Sequence, residues 1–122
     1  MNTAEIAKKY VALVKENRHQ EILSELFAKD ATSVEAMAPP GVERTAKGLE
    51  AIAAKSKWWG DNHEVHKAEV FGPYPNDDRF AVRFLYDITN KPSGKRMTMD
   101  EVGLFTVANG KIVREEFFYQ TG

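Results

Sequence analysis

Residues 102–119 read VGLFTVANGKIVREEFFY, and this stretch decides the fold. Asn109 and Gly110 stand between two segments of strand type. This dipeptide favours a type I′ turn because both of its residues tolerate positive φ. A two-residue loop pairs Ala108 with Lys111, and every second pair outward from it shares one face of the hairpin. The chain is therefore expected to end in a long antiparallel hairpin.

Counting outward from this turn divides the hairpin into two faces. One face has fewer charged residues, and we expect it to be the covered, concave side of the sheet. A register slip of one residue would instead turn Glu101, Arg114 and Glu116 inward, and this alternative stays open. The face expected inside carries Thr106, Leu104, Val102, Asp100, Val113, Glu115, Phe117 and Tyr119.

The rest of the chain divides into helical segments first and strands last. Apolar residues follow helical spacing from about residue 3 to 17, around residues 22–27, and from Leu49 to Trp59. Segments 64–71 and 79–89 are rich in strand-forming residues and precede the hairpin. This order predicts a single α+β domain over residues 1–122, in which three N-terminal helices close the concave face of a curved antiparallel sheet.

The composition excludes several classes of function. A formal net charge of -1, with scattered basic residues, disfavours binding to nucleic acid. No apolar run is long enough to span a membrane, and the chain has no cysteine, which fits a reducing cytoplasm. His63 and His66 would lie on opposite faces of a strand, so we expect neither a metal site nor a cofactor.

The order of elements, ending in NGKIV at residues 109–113, resembles the NTF2-like superfamily, and in particular its SnoaL-like and ketosteroid isomerase-like branches. The pattern covers essentially the whole chain and implies a cystatin-like, cone-shaped sheet around a small pocket. Residues 10–13 (YVAL) and 27–32 (FAKDAT) are similar to segments of the ketosteroid isomerases.

That resemblance implies roles for individual residues. Tyr10 matches the family's oxyanion tyrosine, and Glu35 matches its general base. Val102 stands where the family has a second, protonated donor, but its side chain cannot donate. Asp100 is two residues away on the same expected face and is the substitute donor. The expected catalytic residues are therefore Glu35, Tyr10 and Asp100.

The remaining residues of the expected ligand shell are apolar or aromatic side chains with a few polar groups, as is usual for a small-molecule site. They are Trp59, His63, Tyr86, Val102, Glu115, Phe117 and Tyr119. The expected partner is a small, largely apolar carbonyl compound, and the expected activity is cofactor-free isomerisation or cyclisation. A non-catalytic binding module on the same scaffold is the alternative.

Two further expectations depend on which face of the hairpin lies inside. Exposure of the other face, with Phe105, Ile112 and Phe118, would suggest a homodimer through the outer side of the sheet. If the other face lay inside, the site would favour activation of a water molecule, as in epoxide hydrolases. The two acids would then be Asp87 and Glu101, and the arginine would be Arg83.

Overall fold

The computed structural model describes residues 1–120, and residues 121–122 lie outside the described part of the chain. Three helices and one curved, unclosed sheet make up the α+β cone that the sequence predicts. No helix within residues 1–120 is long and apolar enough to cross a membrane. The elements are α1 (Thr3–Lys15), α2 (His19–Leu26), β1 (Phe27–Val34), β2 (Thr45–Lys47), α3 (Leu49–Asn62), β3 (His63–Asn76), β4 (Arg79–Asn90), β5 (Lys95–Ala108) and β6 (Lys111–Phe118).

The six strands follow the order β2-β1-β6-β5-β4-β3 in one sheet. Strands β3 to β6 form the expected antiparallel meander. The sheet is mixed rather than purely antiparallel, because β1 pairs with β6 in parallel. This parallel pairing places the end of β1, and the residues that follow it, beside the last strand of the chain.

Helix α1 covers the sheet because its sequence defines both its start and its buried side. The side chain of Asn2 accepts a hydrogen bond from the Glu5 amide at 2.9 Å, and the Glu5 carboxylate accepts one from the Asn2 amide at 3.0 Å. This capping box satisfies amides that the first turn leaves unpaired. Ile6, Tyr10 and Leu13 recur at helical spacing and are buried, so they anchor the helix on the concave face.

The Asn109-Gly110 turn forms as predicted, but the register beyond it is wrong by one residue. Ala108 pairs with Lys111, whereas Val113 is an extra residue that has no partner on β5. Successive side chains in a strand point to opposite faces, so one extra residue, a β-bulge, changes which residues of β6 share a face with those of β5. The bulge therefore brings Glu115 opposite Phe105.

Because of the bulge, the residues that were expected on one inward face lie on two different faces of the sheet. On β6 the expectation is right beyond the bulge, since Glu115 is buried and Phe117 packs against the core, and wrong before it, since Ile112 is buried. On β5 it is wrong, because Gly103, Phe105 and Val107 are the buried residues. The inward side of β5 is thus its odd-numbered set, which includes Glu101.

Phe105 occupies the centre of the core. Its ring is fully buried and lies 4.5 Å from the ring of Tyr10 and 4.7 Å from that of Phe80, measured between centroids. Gly103 leaves the space that the ring needs, because a Cβ at this position would come within 2.8 Å of Phe105. Ile112 is also fully buried. The expectation that Phe105 and Ile112 contribute to an outer apolar surface is therefore wrong.

Candidate functional site

A chain of hydrogen bonds crosses the concave side of the sheet near the end of β1. The Tyr119 hydroxyl donates to Glu35 Oε2 at 3.0 Å, and the Lys55 ammonium donates to Glu35 Oε1 at 2.7 Å. Lys55 also donates to the hydroxyl of Ser33, and Ser33 in turn hydrogen-bonds the carboxyl group of Glu115. We call these five residues the polar chain.

The fold explains why residues so distant in sequence meet here. Ser33 lies near the end of β1 and pairs directly with Glu115 in the parallel β1–β6 ladder. Glu35 follows β1 and Tyr119 follows β6, so both extend beyond the same edge of that ladder. Lys55 is on α3, three residues after the buried Ile52, and reaches the group from the helix side.

Burial changes the acidity of Glu115. Its side chain is 6% exposed, and the loss of solvent raises the pKa of its carboxyl group to about 7. The positive charge of Lys55 opposes this rise, the negative charge of Glu35 adds to it, and the hydrogen bond from Ser33 opposes it. Glu115 is consequently shared between its neutral and charged forms near neutral pH.

A second set of polar side chains lies beside the polar chain and is not hydrogen-bonded. Tyr10, Tyr86 and Glu101 make no side-chain hydrogen bond within residues 1–120, and we call them the unpaired set. Every fully enclosed side-chain nitrogen or oxygen in that range has a partner. The polar atoms of the unpaired set therefore border open space rather than being sealed in the core.

Burial and neighbouring charges raise the pKa values of all three members of the unpaired set. Burial raises the pKa of Tyr10 well above its ordinary value, and the nearby charges of Glu115 and Glu101 raise it further. Burial and the charge of Glu101 also raise the pKa of Tyr86. The pKa of Glu101 rises to about 7, mainly through burial and then through the charge of Glu35.

An aromatic group forms one rim of the site. The rings of Trp59 and His63 stack with centroids 4.5 Å apart, and Trp59 lies 6.0 Å from the ring of Tyr86. His63 Nδ1 is 2.8 Å from the carbonyl oxygen of Trp59, and its Nε2 is 3.4 Å from the amide nitrogen of Asn90. In the tautomer that carries its proton on Nδ1, the His63 ring donates to the Trp59 carbonyl and accepts from the Asn90 amide.

The structure brings together most of the expected site residues. Glu35, Tyr10, Glu115 and Tyr119 belong to the polar chain and the unpaired set. The ring of Phe117 lies on the same side, 6.4 Å from that of Phe84. Trp59, His63 and Tyr86 form the aromatic rim. Their roles stay predictions, but their common location agrees with the sequence analysis.

Two expected site residues lie on the other face of the sheet. Asp100 is exposed and makes two hydrogen bonds of 2.9 Å with the guanidinium of Arg83. Val102 is 37% exposed. The expectation that both residues face the pocket is wrong, because the bulge at Val113 reverses the inward set of β5. Glu101 takes the place that was expected for Asp100.

The residues considered for epoxide-hydrolase-like chemistry do not converge. Asp87 is paired with Arg96 at 2.8 Å, and Arg83 is paired with Asp100. Both pairs lie on the outer face, whereas Glu101 faces inward. No shared position for an activated water exists among these groups, so this alternative is wrong for the arrangement found here.

Sequence reasoning missed Lys55 and Ser33. The signal for Lys55 was its spacing, since Ile52, Lys55 and Trp59 follow the pattern that places side chains on one face of a helix. Ser33 gave no signal of its own because its neighbours, Lys55 and Glu115, come from distant parts of the chain.

We expect Glu115→Gln to change how stability depends on pH. The folded state raises the pKa of Glu115 from 4.5 to about 7, so the wild type loses stability as pH rises through that interval. The loss is about 3 kcal/mol for a shift of this size. Glutamine does not titrate, so the variant lacks this loss. Between about pH 4 and about pH 8, its free energy of unfolding should therefore rise by about 3 kcal/mol relative to that of the wild type.

Urea denaturation across this pH range measures the effect, and Glu116→Gln is the matched control. Glu116 is the next residue along β6, points to the outer face and is paired with Arg114. Its variant should follow the wild-type pH dependence. Parallel curves for wild type and Glu115→Gln would contradict the raised pKa.

Comparison with known proteins agrees with this architecture. Residues 1–119 match the family model described as SnoaL-like domain. A search of curated proteins gave no match. Among solved structures, a Mesorhizobium loti protein provisionally named a SnoaL-like polyketide cyclase is 49% identical, with a TM-score of 0.91 over 98% of this chain and 100% of the other.

More distant structures share the fold. A provisional isomerase from Bacillus subtilis is 20% identical, with a TM-score of 0.79 over 98% of this chain and 90% of the other. An NTF2-like protein from Burkholderia thailandensis is 17% identical, with a TM-score of 0.83 over 98% of this chain and 92% of the other. The match over residues 1–119 and the 49% identity are decisive: the chain belongs to the family of SnoaL-like domains.

Proposed function

We propose that the chain binds a small, largely apolar carbonyl compound on the concave side of the sheet and catalyses proton transfer at the carbon next to the carbonyl, without a cofactor. The observation that carries this proposal is the unpaired set. The side chains of Tyr10 and Glu101 have no hydrogen-bond partner in residues 1–120, and the charge of Glu101 acts on Tyr10. The charge of Glu35, an acid that accepts two hydrogen bonds, acts on Glu101 in turn.

Glu35 is the base in this proposal. Its two carboxylate oxygens each accept a hydrogen bond, one from Lys55 and one from Tyr119. Hydrogen bonds to a carboxylate favour its charged form, which is the form that can remove a proton. The side chain is 26% exposed and therefore accessible to a ligand on the concave side.

Tyr10 and Glu101 are the donors to the carbonyl oxygen. Removal of a proton from the neighbouring carbon places negative charge on that oxygen, and fixed donors stabilise the charge as it develops. A carboxyl group with a pKa of about 7 is largely neutral just below that pH and can donate. Pairing a tyrosine with a neutral carboxylic acid is a known way to hold an enolate oxygen.

The walls of the site favour an uncharged, apolar ligand. Phe84 and Phe117 lie on the same side as the acids, and Phe84 is directly opposite Glu101 in the β4–β5 ladder. The one lysine of the polar chain, Lys55, already contacts Glu35, Ser33 and the face of the Phe117 ring. An anionic ligand would therefore meet carboxyl groups and an occupied ammonium.

Hydrogen–deuterium exchange of a ketone probe tests the proposal without knowledge of the natural substrate. The protein is mixed with 4-methylacetophenone in D₂O, and proton NMR follows the loss of the acetyl methyl signal. We expect faster exchange with the protein than without it. The rate should fall as pH rises past about 7, because Glu101 then loses the proton that it donates.

Binding of the probe without faster exchange at any pH between about 5 and 9 would overturn the catalytic proposal. It would favour the other candidate, a non-catalytic ligand-binding module. Saturation-transfer NMR on the same samples detects binding independently of exchange, so the two results are distinguishable.

We also propose a homodimer through the outer face of the sheet and a cytoplasmic location. Val102 and Phe118 are direct cross-strand partners, and they are 37% and 49% exposed on that face. Such an apolar pair is a suitable centre for a contact between two copies. The absence of cysteine supports a reducing compartment.

A further inference from the structure

We propose that Tyr119 is a positioning residue, whose hydroxyl group holds the carboxylate of Glu35 in the orientation that proton removal requires and does not itself contact the ligand. The proposal rests on the proposed function, because a carboxylate needs a fixed direction only if it acts on a bound molecule. Tyr119 was expected among the ligand-binding residues, and this proposal assigns it a different role.

The backbone of Glu35 is fixed by Arg44. The Glu35 amide donates to the carbonyl oxygen of Arg44 at 2.8 Å, and Arg44 Nε donates to the carbonyl oxygen of Glu35 at 3.0 Å. These two bonds tie Glu35 to the residue just before β2. They leave the rotatable bonds of the Glu35 side chain free, so the carboxylate needs contacts of its own to keep one orientation.

Two donors supply those contacts, and each takes one carboxylate oxygen. Lys55 Nζ is 2.7 Å from Oε1 of Glu35, and the Tyr119 hydroxyl is 3.0 Å from Oε2. A carboxylate that is held at one oxygen can still swing about that contact, whereas one that is held at both oxygens keeps its plane. Each oxygen retains a lone pair beyond the bond it accepts. Tyr119 therefore determines the direction in which Glu35 can accept a proton.

The hydroxyl hydrogen of Tyr119 is committed to this contact. A phenol has a single hydrogen to donate, and Tyr119 donates it to Glu35. The backbone amide of Met37 faces the same hydroxyl group from the other side. Tyr10 and Tyr86, in contrast, make no side-chain hydrogen bond in residues 1–120. They are the tyrosines of the site that can donate to a ligand without breaking a bond.

Tyr119 remains a donor at neutral pH. Burial, followed by the charge of Glu35, raises the pKa of its hydroxyl to about 12, although the Met37 amide opposes this rise. The hydroxyl group is therefore protonated throughout the range in which Glu35 would act as a base. Its rigid ring follows directly after β6, so the position of the hydroxyl is set by the end of that strand.

Tyr119→Phe tests the role kinetically, because it removes one oxygen and keeps the ring. Exchange is measured over a range of 4-methylacetophenone concentrations in D₂O. The maximal rate should fall about 10- to 100-fold, as expected when a catalytic group loses its fixed placement. The ketone concentration that gives half of the maximal rate should stay within about twofold of the wild type. A higher half-maximal concentration with an unchanged maximal rate would overturn the proposal, since the hydroxyl would then bind the ligand.

A double-variant comparison shows whether Tyr119 acts through Glu35. In a Glu35→Gln background, Tyr119→Phe should change the remaining rate by less than about twofold, because the group that it positions is absent. Equal losses in both backgrounds would overturn the proposal. Tyr74→Phe is the matched control, since it removes the same oxygen from a residue that is 61% exposed on the edge strand β3. It should leave the rate unchanged in both backgrounds.

Carboxyl ¹³C NMR of glutamate-labelled protein tests the contact without any ligand. The signal of Glu35 is identified by its absence from Glu35→Gln. It should shift in Tyr119→Phe and stay in place in Tyr74→Phe. An unmoved signal in Tyr119→Phe would overturn the proposal, because the hydroxyl would not hold the carboxylate. Failure of the wild type to exchange the ketone would instead refute the proposed function, and the NMR result would still show whether Tyr119 holds Glu35.

Discussion

Replacement of Glu35 by glutamine is expected to slow ketone exchange about 10²- to 10⁴-fold, the usual contribution of a positioned general base. Glutamine keeps the size of the side chain, and its carbonyl oxygen can accept one of the two hydrogen bonds that Lys55 and Tyr119 donate to the two oxygens of Glu35. It cannot remove a proton from carbon. Proton NMR of 4-methylacetophenone in D₂O measures the rate for both proteins, and binding of the ketone should change little.

Glu116→Gln supplies the control for this experiment, because it makes the same chemical change on the outer face of β6. Its exchange rate should match that of the wild type. A Glu35→Gln rate within about threefold of the wild type would remove Glu35 as the base, since a loss that small lies far below the contribution of a general base. Glu115 would then be the acid to test next.

Truncation of Phe105 to alanine is expected to lower the free energy of unfolding by about 3–5 kcal/mol, the range for a buried phenylalanine. The ring is fully buried between Tyr10 and Phe80, so its removal leaves a cavity as well as lost apolar contact. Chemical denaturation with urea at constant pH gives the free energy. The midpoint should fall while the slope stays near that of the wild type.

Val102→Ala is the companion variant on the opposite face of the same strand. Val102 is 37% exposed, so the change should cost about 1 kcal/mol or less. The two variants together report which face of β5 is inside. A large loss in Val102→Ala combined with a small one in Phe105→Ala would mean that the inward set is the even-numbered one.

Local signals in the sequence predicted the architecture well. The Asn109-Gly110 turn, the helical spacing of apolar residues in α1 and the strand-rich second half identify the elements and their order. Such features depend on near neighbours in the chain. The hairpin count suggested Glu115 for the site, whereas Tyr10 and Glu35 were suggested by the family resemblance and not by local signals.

The bulge at Val113 could not be predicted from the same signals. A bulge is selected by how the whole hairpin packs against its neighbours, and both registers give a plausible pattern of apolar residues here. In the structure, Phe105 fills the core and Gly103 makes room for it. The sequence contains both residues, but nothing near them indicates that this face of β5 turns inward.

Lys55 illustrates a second limit of sequence reasoning. Its aliphatic stem can pack against apolar surface while its charged end reaches a polar partner, so burial of a lysine depends on that partner. The partner is Glu35, 20 residues earlier in the chain. Only the folded chain brings the two together, and the polar chain therefore had to be found in the structure.

The extra residue in β6 gives this fold a simple way to exchange one set of inward-facing side chains for another. Lengthening or shortening a strand by one residue past a fixed turn presents the alternate side chains to the interior, while the helices, the turn and the strand order stay as they were. Small indels beside the Asn109-Gly110 turn therefore change the whole inward set of a strand in one step, whereas substitutions change it one residue at a time.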